Sequence, residues 1–352
     1  MPDIPSLRVG GGTFDGWESV TVTRSLEIMP DTFSLEATVP RIDIPAGARC
    51  EVCYGSDVVL TGMLEKPRWR RDANGRSFGV SGRSLPGNLV DCAAKPGVYL
   101  GLDLGTLGWQ LAEPYGVDVR VAVGVNPPTL PRVVVKPGQT VYEVLEKQAR
   151  SAAMLWLCGT DGVLVLTVPG QVRASTTLAF PAVESIETSL DLAKRVDVIE
   201  CRGQIAGDGG IWGVGAFSVG TVTDASLKGK RKIIINAPNR ATAQQCADRA
   251  AIEAAARYGK SVSVPVKASS WRDPSGALWQ PGRLYPTREE WWGLDTPLIL
   301  RSVTMTYGAK TGTSADLDLT VPQAYLWERI AAADPKLAKG LRVAFPELLG
   351  NW

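Results

Sequence analysis

The 352-residue sequence contains no histidine. That absence removes Ser-His-Asp and Cys-His nucleophile systems, every zinc site that uses imidazole, and the usual proton carrier near pH 7. Long apolar runs are missing as well. Stretches such as GVLVLTVP (162–169) fall far short of the ~20 residues a membrane helix needs. Neither sign of charge dominates: 38 basic against 36 acidic side chains leave +2, unlike the marked basic excess of a dedicated nucleic-acid binder. The start, MPDIPSLRVGGGTF, lacks a basic stretch followed by an apolar run. We therefore expect no secretion signal, and a chain that stays where it is made or leaves inside something larger.

Six cysteines are present, and Cys50 and Cys53 spell C-x-x-C. A zinc ribbon needs a second such pair, which Cys92, Cys158, Cys201 and Cys246 do not supply. A redox C-x-x-C opens a helix, whereas RCEVCYG lies in a strand-like run, where positions three apart face opposite ways. The cysteines read as small apolar residues of a reduced protein. Nucleotide loops fail similarly. Gly213-Val214-Gly215 starts a G-x-G, but no third glycine follows in place, and no P-loop lysine is present. No cofactor or metal is expected.

What the sequence has is strand pattern. WESVTVTR and TFSLEATVP alternate, and VVLTGMLEKPRWRR and RSFGVSG flank an Asn74-Gly75 turn, a strong hairpin signal. Within RWRR, alternation puts Trp69 on one face and Arg68 and Arg70 on the other. This basic run and KGKRK (228–232) read as solvated faces, with phosphate binding the alternative. Residues 1–83 thus read as an antiparallel β-barrel domain. Residues 84–180 read as an α+β domain: a helix at 106–115, a strand at VDVRVAV, a Pro-rich loop at 127–138, then a helix with Val141, Val144, Leu145 and Ala149 on one face. MLWLC and VLVLTVP close it as a hairpin.

Residues 181–326 read as a second β-barrel, interrupted by a Gly-rich loop (203–220) and a helix (239–258) capped by Asn239. Its stripe of Ala243, Cys246, Ala247, Ala250 and Ala254 lets the backbone lie close to a sheet or a partner chain. PLILRSVTMTYG and SADLDLTVP echo the layout of the first hairpin. A helix at 323–333 leads from this region into a C-terminal tail, 327–352. The expected architecture is therefore mostly β with α+β: two similar barrels around an α+β domain.

Two stretches invite enzymatic readings. Glu289-Glu290-Trp291-Trp292, near Trp271, Asp273 and Trp279, has the residue types of a glycan-binding or glycan-hydrolysing cleft, but adjacent carboxylates on a strand diverge. In SFGVSGRSLPGNLVDCAA (77–94), Asp91 beside Cys92 would raise, not lower, the thiol pKa. That segment reads instead as the chain passing from one domain to the next, with Leu89 and Val90 packing the second.

VSGRSLPGNLVDCAA resembles the segment that closes the first barrel in baseplate hub proteins of Mu-like contractile-tailed phages, with Gly82-Arg83-Ser84 where that pattern has Gly-Arg-Asp. PYGVDVRV, PGQTVYEVLEKQARSAAMLWLCGTDGVLVLT, ATAQQCADRAAIEAAARYGKSVSVPV, WRDPSGALWQPGRLYPT and TPLILRSVTMTYGAKTGTSADLDLTVPQAY are similar to later parts of the family, in order, over about residues 1 to 326. Residues 336–352 match nothing in it. The resemblance implies a structural, non-catalytic homotrimer whose six barrels ring a channel for DNA in transit. That ring meets a tail tube on one side and a trimeric spike on the other, among baseplate wedge proteins. It implies a virion component assembled in the host cytoplasm, related to type VI secretion spike hubs. Trp212 and Phe217 in the Gly-rich loop, and Leu348, Leu349 and Trp352 at the tail, are the expected partner contacts.

Overall fold

The computed structural model describes residues 3–38, 44–73, 75–152, 154–204, 217–224, 227, 230–322 and 324–325. The first region supplies β1 (Pro5–Val9), β2 (Gly12–Phe14), β3 (Ser19–Ser25), β4 (Thr32–Ala37), β5 (Arg49–Tyr54), β6 (Asp57–Asp72) and β7 (Gly75–Ser84). Strict alternation makes these strands. In β4, Phe33, Leu35 and Ala37 are buried while Thr32, Ser34 and Glu36 are exposed, the period-2 signature of a half-buried sheet. Asn74, in the expected hairpin turn, lies outside the described residues; the strands it joins pair from Gly62↔Ser84 to Asp72↔Gly75.

A 3-10 turn at Leu85–Gly87 then starts a second core. It contains α1 (Asn88–Asp91), β8 (Gly97–Asp103), α2 (Leu104–Ala112), β9 (Val119–Val121), β10 (Thr129–Val135), α3 (Val141–Ser151), β11 (Leu155–Cys158) and β12 (Leu164–Thr167). A capping box fixes α3: Thr140 Oγ1 accepts from Glu143 N, and Glu143 accepts from Thr140 N. Val141, Val144, Leu145 and Ala149 pack inward, and Glu146 pairs with Arg150 one turn on. Residues 127–138 are not the loop their prolines imply. β10 pairs antiparallel with β8 in a two-stranded ribbon, and Pro131 sits there without a register partner. A ribbon edge tolerates a residue that cannot donate.

The last region supplies β13 (Ser185–Ile186), β14 (Ser189–Leu190), β15 (Val198–Gln204), β16 (Phe217–Thr223), β17 (Lys232–Arg240), α4 (Ala243–Ser261), β18 (Val262–Ala268), β19 (Leu284–Glu289), β20 (Leu294–Gly308) and β21 (Gly312–Thr320). β16, β15 and β17 form their own sheet, with β15 and β17 parallel, and α4 packs on it through Cys246 and Ala250. The cap of α4 is Thr242, not Asn239: residues up to Arg240 remain in β17, and Thr242 makes a capping box with Gln245.

The mostly-β reading holds, but the barrels are not closed. The two β regions form one continuous 13-stranded sheet in the order β13-β18-β21-β20-β3-β4-β7-β6-β5-β1-β2, with β14 on β18 and β19 on β20. The join is β3 against β20, antiparallel from Ser25↔Ser302 to Ser19↔Gly308. Each region lends the other a partner strand, so neither has to curl onto itself to satisfy its edge. A single hydrophobic core underlies both, from Leu7, Val22 and Phe78 to Val264, Met305 and Leu319.

Candidate assembly interface

The two β regions repeat one design. Each has a short strand, then a long strand bulged near its middle, then a third strand. β5-β6-β7 carries its shift between Leu64 and Lys66, and β19-β20-β21 carries the same shift between Leu300 and Ser302. The bulged residue is charged in both and pairs with the following strand: Glu65 with Arg83 at 2.7 Å, and Arg301 with Asp318 at 2.6 Å. The polarity of the pair is inverted between the repeats.

The repeats differ at one edge. The second half of β20 pairs with β21 on one side and with β3 on the other, and Val303 and Met305 are fully buried. The second half of β6, residues 66–72, pairs with β7 alone among the described residues. Its Trp69 packs against Phe78 with the rings tilted and centroids 5.6 Å apart, and still remains 56% exposed. At the far end of the sheet, β13 and β14 pair with β18 alone among the described residues.

Two clasps tie the rest to this sheet. Arg24 on β3 donates from Nε to Asp31 (3.0 Å) and from Nη2 to the Cys158 carbonyl (2.9 Å), both bonds buried, linking β3 to β11 of the second core. Burial is the dominant influence on the Asp31 carboxyl and pushes its pKa up, while Arg24 and the Ser25 N–H hold it down. Arg272 reaches Asp3 (2.7 Å), Asp57 (2.6 Å) and the Tyr54 carbonyl, and lies over the Tyr54 ring. It binds the β5–β6 turn to the segment before β19.

The sequence-level candidates fall as follows. Trp212, Leu348, Leu349 and Trp352 lie outside the described residues; Phe217 opens β16, with its side chain outside them. Asp91 is held by Arg83, whose hydrogen bond lowers its pKa. Leu89 packs in the second core. Cys50, Cys53 and Cys158 are buried, and desolvation raises all three thiols, Cys50 and Cys158 to about 12. Cys50 belongs to the main core and Cys53 does not, as opposite strand faces require. Among the described residues no group of acidic or cysteine side chains could hold a metal ion.

The glycan-cleft residues are dispersed. Trp271 and Trp279 are buried, donating to the Thr306 and Ser270 carbonyls. Asp273 spends one oxygen on Ser275 and Ala277 in its own turn, and Glu290 pairs with Arg288 on the surface. In KGKRK, Arg231 binds the Leu192 and Ala193 carbonyls and Lys232 pairs with Glu200. The charged side chains named here join strands and turns of the same chain.

Residues 5–84 match the model for the N-terminal domain of the Mu phage baseplate assembly protein GpP-like family. Residues 86–168 match the second domain of baseplate hub protein gp44-like. Both stretches are thus similar to domains of phage baseplate proteins. Over 340 residues the chain is 26% identical to baseplate hub protein gp44 of Escherichia phage Mu, covering 93% of this chain and 90% of that protein. The 43 kDa tail protein of prophage MuSo2 from Shewanella oneidensis superposes with a TM-score of 0.81 at 27% identity, over 92% of this chain and 99% of that one. A tail protein from Neisseria meningitidis MC58 shares the fold (TM-score 0.79, 22% identity, 92% and 98% covered). So does the E. coli c3393 component of a type VI secretion system, whose structure is described as similar to T4 tail proteins gp27 and gp5 (0.59, 10%, 90% and 76%). No helix among the described residues is long and apolar enough to cross a membrane.

Proposed function

We propose that this chain is the structural hub of a Mu-like contractile-tail baseplate, a homotrimer joining the tail tube to a trimeric spike. The observation that carries this reading is the internal repeat: one chain presents the same bulged three-strand unit twice, joined through a continuous sheet. Three such chains place six similar units around an axis, so one ring offers three-fold symmetry to a spike and near six-fold symmetry to a tube. Heterologous contacts of this kind close only as a ring. The enclosed channel would pass DNA without reading it, in keeping with the near-neutral charge. The role is mechanical, with no chemical step, and the protein would reside in the tail after assembly in the host cytoplasm alongside wedge proteins. The chain would divide at 1–83, 84–180 and 181–326, with 327–352 as a separate tail.

Light scattering across a concentration series tests the oligomer. Three chains of 37.6 kDa imaged as an annulus are expected; a compact monomer even with spike and tube proteins added would overturn the reading. The apolar end LLGNW (348–352), with Trp212 and Phe217, supplies partner contacts in this scheme. A chain ending at 335 should capture at least about tenfold less spike in a pull-down, equivalent to roughly 1.4 kcal/mol of binding. Undiminished capture would remove the tail from the interface.

A further inference from the structure

We propose that residues 66–72 of β6 pair antiparallel with the β13–β14 edge, residues 185–191, of a second copy of this chain, in one register: Lys66 opposite Asp191, Arg68 opposite Ser189, Trp69 opposite Thr188, and Arg70 opposite Glu187. This rests on the ring reading above and adds its seam: which strands, which residues and which side chains.

The register follows from the repeat. Beyond the bulges, Lys66 faces Ser81 and Ser302 faces Asp318, so β6 corresponds to β20 with Lys66 at the place of Ser302. On the next strand, Ser34 faces Ser81 as Pro265 faces Asp318, so β4 corresponds to β18, with Phe33, Leu35 and Ala37 at the places of Val264, Val266 and Ala268. All six of these side chains are buried. One strand further, Val20 faces Leu35 and Thr23 faces Thr32; in the second repeat Ile186 faces Val266 and Ser189 faces Ser263. Both anchors give the same alignment without a gap: SVTVTR (19–24) corresponds to SIETSL (185–190). β13 and β14 together are thus the counterpart of β3.

Within the chain, β3 pairs with the second half of β20, Thr23 opposite Thr304 and Val22 opposite Met305. Carrying both partners to their counterparts gives the pairing of β6 with β13–β14. It cannot form inside one chain by this scheme, because the two strands lie towards opposite ends of the same open sheet. A second copy provides it.

Two observations that played no part in the alignment agree with it. The first is charge. Lys66, Arg68 and Arg70 occupy alternate positions, the row that Ser302, Thr304 and Thr306 hold at the internal join, and the facing row reads Asp191, Ser189 and Glu187. Opposite charges directly across a strand pair stabilise it, and like charges oppose it. The second is exposure. Met305 is fully buried beneath β3, while its counterpart Trp69 is 56% exposed, and Leu190, which would face Pro67, is 40% exposed. A partner strand would cover both. Cationic side chains and proline also guard edges that must stay unpaired, and that alternative predicts no seam here.

Paired cysteines decide it. In a full-length chain with Cys92→Ser, Arg68→Cys and Ser189→Cys together place two thiols directly opposite across the seam. The Cα separation of about 4.5–5.5 Å across an antiparallel pair lies within disulfide reach. Mild oxidation is expected to convert most of the protein to a covalent trimer on a non-reducing gel, while Arg68→Cys with Ser185→Cys, four positions out of register, gives little. Charge reversal is the second arm. Lys66→Glu should weaken trimerisation about tenfold at low salt, and Lys66→Glu with Asp191→Lys should restore it. A trimer by light scattering that shows neither the in-register crosslink nor the charge rescue would overturn the seam and leave the ring standing. A chain that stays monomeric with its partners present would overturn both.

Discussion

Replacing Arg24 with Met is expected to cost about 3–5 kcal/mol of folding stability, because it leaves the Asp31 carboxylate buried without its cation. Asp31 sits almost wholly out of solvent and keeps only the Ser25 N–H when Arg24 is lost. The Cys158 carbonyl loses a donor in the same step, so the second core loosens from β3 as well. The pH dependence has a definite sign. Burial already raises Asp31 above the usual carboxylate range, and Arg24 is the main influence holding it down. Without that cation the folded-state pKa rises further above its unfolded value, so the folded variant binds the proton more tightly than the unfolded one. Stability is then fullest below about pH 4 and is lost as pH rises through the folded-state pKa. Urea unfolding at pH 4 and pH 7.5 reads this directly. The gap between variant and parent should widen at the higher pH. Arg24→Met with Asp31→Leu removes both charges and should recover most of the loss; a double variant as unstable as the single would show that the ion pair is not the cause.

Gly220→Ala is the second large effect. A Cβ built on Gly220 of β16 overlaps the backbone of Cys246 and Ala247 in α4. Backbone cannot swing aside as a side chain can, so helix and sheet must separate. Overpacking of this kind costs about 1–3 kcal/mol, occasionally more. Cys246 and Ala250 would lose their contact with Ile199 and Cys201. Faster amide exchange confined to residues 198–204 and 243–261, with the main sheet unchanged, is the expected pattern. Uniform protection in the variant would mean that α4 does not lie as close as the geometry requires.

The small-residue stripe that makes this contact was visible in the sequence, and its neighbour proved to be a sheet of the same chain. Local chemistry was similarly legible: the apolar face of α3, the Glu146–Arg150 pair, and the hairpin strands around Asn74-Gly75. Where local signals compete, the reading failed. Pro127, Pro128 and Pro131 mark a loop by composition, yet pairing with β8 overrides them at an edge that needs no donor from Pro131. Asn239 is a good cap by type, but β17 runs through it, and Thr242 with Gln245 satisfies two orphan N–H groups together. The union of two expected barrels into one sheet was out of reach for a different reason. SVTVTRS and RSVTMTYG each alternate as half-buried strands do, and nothing in either says which neighbour it takes. The bulges at Glu65 and Arg301 hid for the same cause, since each is a charged residue in an otherwise unbroken strand pattern.

The join between β3 and β20 also sets a clock. Thr23 and Thr304, hydrogen-bonded across it, are 281 residues apart in the chain. At translation rates of about 5–20 residues per second, the first β region waits roughly 15–60 s for its partner strand to be made. Contacts this distant in sequence are slow to form and come late. Until then β3 is an open edge on a nascent chain, able to pair with the wrong strand. A truncated product ending before residue 302 would keep that edge for good. Completion of the sheet therefore waits on translation past Gly308, the last residue of β20 to pair with β3.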